Sequence, residues 1–290
     1  MSLIYPFVYM LGGILLGRFL PHAKALLSKV LIRAFIPYVI IYNLLTYQAG
    51  TAEVAVFCFV FCILLYLAAN ALWRDRLKAL TFSYLNIGWL GLPIAIALFG
   101  DGASRLIIAA YIGSSVFGNV ASSAALQADV RWGVMAIRAL KFPPVMAVLI
   151  GLALRLIPVD FSGVGVMLVG YEAAKLLMSI TGMAVLGMWL YSSRITLDDL
   201  RASIPVAFFR ALIGSLVVGG FLLISWHLEI DIVTENALVL FILPLLPPAA
   251  NIVVLETYFR GTGESAKLVA SGTLISLGLL TLLMLVTLVL

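Results

Sequence analysis

The chain has 290 residues, 64% of them hydrophobic and 11% charged, with 18 Lys and Arg against 13 Asp and Glu for a net charge of +5. A soluble domain carries about 25% charged residues, so this composition, with a mean hydropathy of +1.18, excludes a water-soluble globular fold and indicates an integral membrane protein. Nucleic acid is excluded as a partner because Lys and Arg are spread through short connections and not gathered on one face.

The apolar runs have the length of spanning helices, about 20 residues, and not of ~10-residue barrel strands. Ten spans are predicted, at roughly 3–20, 30–48, 54–73, 79–99, 104–124, 142–157, 164–191, 203–226, 234–259 and 265–289. The first has no basic stretch before it and reads as an ordinary span, not a cleaved signal. Cys58 and Cys62 share the third span; one helical turn offers too few ligands for a metal. The polar joint at 125–141 divides the chain into a first five-helix unit, 1–124, and a second, 142–290. The stretch 158–175 is less apolar and is expected to be partly interfacial.

Counting Lys and Arg by connection sets the orientation. With both termini outside, fourteen fall on the cytoplasmic side, three outside (Arg105, Arg155, Lys175), and Arg210 lies within a span. The expected location is a bacterial inner membrane, crossed many times.

Two spans contain helix breakers. Asn86-Ile-Gly-Trp-Leu-Gly-Leu-Pro93 lies in span four, and Leu243-Pro-Leu-Leu-Pro-Pro-Ala-Ala-Asn251 in span nine. Freed backbone groups in lipid cost several kcal/mol each unless protein or water satisfies them. Interrupted helices at corresponding places in two halves point to a transporter's binding site. Five spans per half invert the second half relative to the first, which brings span four against span nine. Counted back from Gly100 and Gly261, Asn86 pairs with Pro247 and Pro93 with Val254.

The span-four motif, followed by Ala-Leu-Phe-Gly100-Asp, resembles the fourth helix of the auxin efflux carrier family of permeases. Pro37 with Tyr42-Asn43-Leu44, Thr181-Gly-Met-Ala-Val-Leu-Gly-Met, and Leu246-Pro-Pro-Ala-Ala-Asn251 are similar to that family as well. The resemblance implies an all-α membrane protein of ten helices in two inverted five-helix repeats. Helices four and nine would be broken and crossed, with elevator-type transport of organic anions, on a fold shared with bile acid:sodium symporters. Glu256 departs from the small residue expected there.

The expected substrate-binding residues are Asn43, Asn86, Gly91, Pro93, Pro247, Pro248 and Asn251. Half-helix N–H groups and the Asn amides would hold a carboxylate. Glu256, Ser114, Ser115 and Asn119 are candidates for coupling to a cation, Na+ at Glu256 or H+, with an alternative in which Glu256 pairs with Arg260. Small hydroxyl residues such as Ser114, Ser271, Thr273 and Ser276 also serve plain helix packing. Glu172, Lys175 and Arg210 read as structural ion pairs or snorkelling groups, and Trp89 as a residue that could line the cavity.

The expected function is a secondary active transporter for a small organic anion, with spans four, five, nine and ten moving against a scaffold that includes two and seven. Alternatives are sodium-coupled import of a larger amphipathic acid and a non-transporting receptor. A phosphate loop, His-Glu-x-x-His and Gly-x-Ser-x-Gly are all absent, so neither an ATPase nor an enzyme is expected, and no cofactor beyond a coupling ion. The lipid bilayer and the anion are the expected partners, and a homodimer is compatible with the reading.

Overall fold

The computed structural model describes residues 5–46, 51–100, 102–126, 137, 140–141, 143–157, 165–192, 195–260 and 264–289. Their elements are helical: α1 (Tyr5–Phe19), α2 (Ala23–Leu45), α3 (Thr51–Trp73), α4 (Arg76–Ser83), α5 (Leu92–Phe99), α6 (Gly102–Leu126) and α7 (Pro143–Arg155). These are followed by α8 (Gly165–Ser192), α9 (Leu197–His227), α10 (Asp231–Thr234), α11 (Ala237–Leu240), α12 (Asn251–Arg260) and α13 (Ser265–Val289). Among the described residues the one strand-like feature is an isolated antiparallel bridge, Leu85 to Pro248.

Among the described residues, five helices are long and apolar enough to cross a membrane: α2, α3, α8, α9 and the Ser265–Leu285 part of α13. Shorter apolar helices lie at Val8–Phe19, Ile87–Phe99 and Val145–Arg155. The outer surface fits that reading. α9 exposes Phe208, Leu212, Leu216, Leu223 and Ile224, and α1 exposes Leu11, Leu15 and Phe19. Faces of this kind are unfavourable in water and at home in lipid.

The long helices pack closely where side chains are missing. On α1, Gly13 meets the backbone of Ala184, and Gly187 of α8 meets the backbone of Met10 and Ile14. A Cβ at either place would strike main chain, so these two helices meet backbone to backbone, as small residues allow in membranes. α3 approaches α6 in the same manner, at Gly113 against Ala55. Surrounded by these helices are the two interrupted segments, with Leu85, Ile87 and Leu90 of the first and Leu240, Leu243 and Leu246 of the second almost wholly buried.

Two predicted boundaries are corrected. α2 begins at Ala23 and not near 30. Its charged residues ride on the helix: Lys24 Nζ donates to Ser192 Oγ at 2.6 Å and stands 4.2 Å from the Trp189 ring. A π turn at Leu31–Phe35 carries α2 up to Pro37, where a tight turn would press the proline ring on the Arg33 carbonyl. α9 begins at Leu197 and not 203, because Thr196 and Asp199 form a capping box in which each side chain takes up the other's backbone N–H. Of the stretch expected to be interfacial, 165–175 belongs to α8, while 158–164 lies outside the described residues, as does most of the predicted joint at 125–141.

Candidate functional site: two interrupted helices that cross

The first interruption follows α4. Asp75 caps that helix, accepting from the Leu77 and Lys78 N–H groups at 2.9 and 3.1 Å. After Ser83 the backbone extends through Tyr84 (ψ 104°), then winds into a π turn over Ile87–Gly91. There the Asn86 carbonyl accepts from Leu90 N–H at 3.3 Å and Gly91 N–H at 3.0 Å. Pro93 falls in the first turn of α5, where a missing N–H costs nothing.

The break therefore lies at Tyr84–Asn86, upstream of the glycines expected to cause it. Those glycines act through space. A Cβ on Gly88 would come 2.7 Å from the Tyr111 ring, and one on Gly91 2.8 Å from Leu246 of the second interrupted segment.

The second interruption replaces the predicted span at 234–259. The chain passes through α10, α11 and a 3₁₀ turn at Leu243–Leu245, extends at Leu246 (ψ 149°), and resumes as α12 at Asn251. Pro248 has no N–H for the Pro244 carbonyl, four residues back, to accept. Arg210 of α9 supplies one: Nε donates to that carbonyl at 3.4 Å, and a terminal nitrogen donates to Ser276 Oγ at 3.2 Å. Arg210 is 1% exposed and bonds a carbonyl and a hydroxyl, which corrects the expectation of a structural ion pair or a snorkelling group. The signal was present in the sequence as a cation in mid-span, read without the carbonyl that two prolines would free.

The two extended stretches lie side by side. Asn86 N–H donates to the Pro247 carbonyl at 2.8 Å, and Ala249 N–H donates to the Tyr84 carbonyl at 2.9 Å. Each segment thus satisfies backbone groups that the other has left without helical partners. Four helices reach the crossing through glycines: Gly118 of α6 beneath Tyr84, Gly182 of α8 beneath Trp89, Gly214 of α9 beneath Pro244 and Gly272 of α13 beneath Pro248. Trp89 is 3% exposed and packed on Gly182.

Two asparagine side chains belong to the same crossing. Asn251 Nδ2 donates to Tyr84 Oη at 3.3 Å. Among the described residues, the buried Asn86 Nδ2 and Asn251 Oδ1 have no hydrogen-bond partner, and the same holds for Oγ of Ser114, Ser122 and Ser225. Ser115 is buried too, hydrogen-bonded to Tyr111. The Asn119 side chain lies outside the described residues.

Asn86, Gly91, Pro93, Pro247, Pro248 and Asn251 are therefore gathered around one crossing. Pro93 also borders a cavity of about 590 Å³ walled by Leu92, Ile96, Ala97, Val169, Ala173 and Leu176, with Tyr9, Glu172 and Lys175 among its polar residues. The Lys175–Glu172 ion pair expected from the sequence closes at 3.0 Å. Asn43 lies apart, on a smaller cavity of about 100 Å³; its Nδ2 donates to the Val39 carbonyl at 2.7 Å and its side chain bonds Tyr171.

Glu256 is elsewhere again, at the junction of α12 and α13. Fully buried, it accepts from Glu264 N–H at 2.9 Å, from Ser265 N–H at 2.7 Å and from Ser265 Oγ–H. These are donors at the start of α13, which a helix leaves unmet. Among the described residues, no three His, Cys, Asp or Glu gather as a metal site. No protein-family model matches the chain, and no curated protein matches it.

Proposed function

We propose that the chain is a ten-span secondary active transporter of a small organic anion, built as two inverted five-helix repeats and related to the auxin efflux carrier permeases. One observation carries this reading. Two interrupted helices meet in the buried core, joined by reciprocal backbone hydrogen bonds, with amide groups of Asn86 and Asn251 left over beside the junction. Buried polar atoms without partners are costly in a protein that is only a scaffold, by about 1–3 kcal/mol each. A bound carboxylate accepts from the Asn86 amide and from the half-helix N–H end, and so repays the cost at Asn86, while the Asn251 oxygen, itself an acceptor, suits a coupled cation.

The inverted repeat draws support from one contact. Counting back from Gly100 and Gly261 makes Asn86 and Pro247 equivalent, and these two residues share the 2.8 Å hydrogen bond. Equivalent positions meet where a two-fold axis passes. In the elevator scheme the interrupted segments, with α6 and α13, carry the anion past α2 and α8. Glycine contacts such as Gly182 with Trp89 let the two sides of that boundary approach closely.

The cavity beside Pro93 favours a second, narrower reading of the substrate. At about 590 Å³ with mostly apolar walls, it has the size and lining of a pocket for an amphipathic acid and not only a two- or three-carbon carboxylate. Counterflow of labelled short and aromatic carboxylates in proteoliposomes tests both. Exchange of either class supports transport and selects the reading. No flux under imposed sodium, proton or substrate gradients overturns it.

A further inference from the structure

Arg210 carries a charge that its contacts do not call for. It stands midway along α9, a helix apolar enough to cross a membrane, and is the bulkiest fully buried side chain among the described residues. Its two hydrogen bonds go to neutral acceptors, the Pro244 carbonyl and Ser276 Oγ. A neutral donor would serve both. α9 and α13 are joined two turns away by such a neutral bond, Ser203 Oγ to Ser271 Oγ at 2.7 Å. Among the described residues no carboxylate pairs with Arg210. The fully buried Glu256 is engaged at the start of α13, by Glu264 N–H and Ser265. A lone guanidinium in the core of a membrane protein is costly unless an anion matches it.

The place of that charge ties it to the crossing. Gly214, one turn further along α9, lies beneath Pro244, and Gly272, one turn before Ser276 on α13, lies beneath Pro248. The guanidinium therefore stands against the second interruption, between the two helices that support its prolines. In a water-poor core a charge is felt further than in solvent, so Arg210 can hold an anion at the crossing without touching it. We propose that Arg210 is the fixed counter-charge of the crossing and sets its preference for a carboxylate over an uncharged molecule of the same shape. This rests on the reading of the crossing as an anion site and adds the residue that makes it selective for charge.

Equilibrium binding to the full chain in phosphatidylcholine nanodiscs tests it, with radiolabelled acetate and benzoate against their uncharged isosteres acetamide and benzamide. The parent should bind at least one carboxylate about tenfold or more tighter than its amide. Arg210→Gln keeps donors for both acceptors but loses the charge, and should bring that ratio close to one. Arg210→Lys keeps the charge without the fork and should retain most of the preference. Ser276→Asp leaves the arginine in place and sets a carboxylate where Ser276 Oγ lies, 3.2 Å from it. It should remove the preference, while the neutral Ser276→Asn should not; this pair decides if Arg210→Gln fails to fold. A merely structural arginine gives the opposite order, with Gln like the parent and no effect of the added carboxylate on the ratio. The inference is overturned by a parent ratio kept in Arg210→Gln, or in Ser276→Asp where the former does not fold, or by a parent that prefers neither carboxylate. An Arg210-dependent preference without carboxylate counterflow in proteoliposomes would strike the transport reading alone. Counterflow by a parent whose ratio ignores these variants would strike Arg210 alone.

Discussion

Glu256→Gln separates two roles for the one fully buried carboxylate found among the described residues of the helical core. In the structure its oxygens receive Glu264 N–H, Ser265 N–H and Ser265 Oγ–H, at the positive end of α13. Glutamine keeps one acceptor oxygen but turns an NH2 group toward donors. One N–H then loses its partner in a buried site, at about 1–3 kcal/mol. The charge–dipole attraction goes as well, up to ~2 kcal/mol in partly buried geometries. The expected loss is about 2–4 kcal/mol, which in a chain of this size lowers the melting midpoint by roughly 3–7 °C. Thermal unfolding of the purified protein, in sodium and in potassium buffers, reads it directly. The drop should be the same in both salts, and Ser265→Ala should give a smaller one. A variant as stable as the parent that has lost a sodium-dependent rise in midpoint would refute the capping role and assign the carboxylate to a cation.

Asn86→Ala or Asn251→Ala should abolish protection of the folded protein by substrate carboxylates in the same melting assay while the protein stays extractable; unchanged affinity in both would take these amides out of the site. Gly272→Val places carbon where a Cβ already comes 2.9 Å from Pro248 Cδ, on a ring pinned by the crossing, and should cost about 1–3 kcal/mol by overpacking. Gly219→Ala, with open space around it on α9, should be neutral or stabilising by up to ~1 kcal/mol; the opposite order in a thermal assay would contradict the packing described. Arg210→Met leaves the Pro244 carbonyl without its side-chain donor, so hydrogen exchange at Leu246 and Ala249 should quicken by about tenfold or more, whereas parent-like protection would show that the arginine does not hold the second interruption.

Much of the architecture was legible in the chain itself. Composition and run length demand apolar helices of spanning size, and that follows from the cost of backbone groups in lipid whatever the tertiary arrangement. Pro93, Pro247 and Pro248 announce that two segments deviate from a regular helix, because a missing N–H is a local covalent fact. What could not be read locally was how each deviation is used. Pro93 sits in an intact first turn and the chain opens earlier, at Tyr84, because a facing backbone there accepts and donates in register. Gly88 and Gly91, residues that weaken helices in isolation, turn out to make room for Tyr111 and Leu246. Arg210 and Glu256 show the same division. Their charge inside apolar sequence marks them as exceptional, but the carbonyl that one reaches and the helix start that the other caps lie on segments distant in sequence. Solvation preferences and backbone chemistry are properties of each residue and its neighbours, so the sequence alone determined them. Which freed donor meets which freed acceptor depends on distances between remote segments, and only the folded chain decides those.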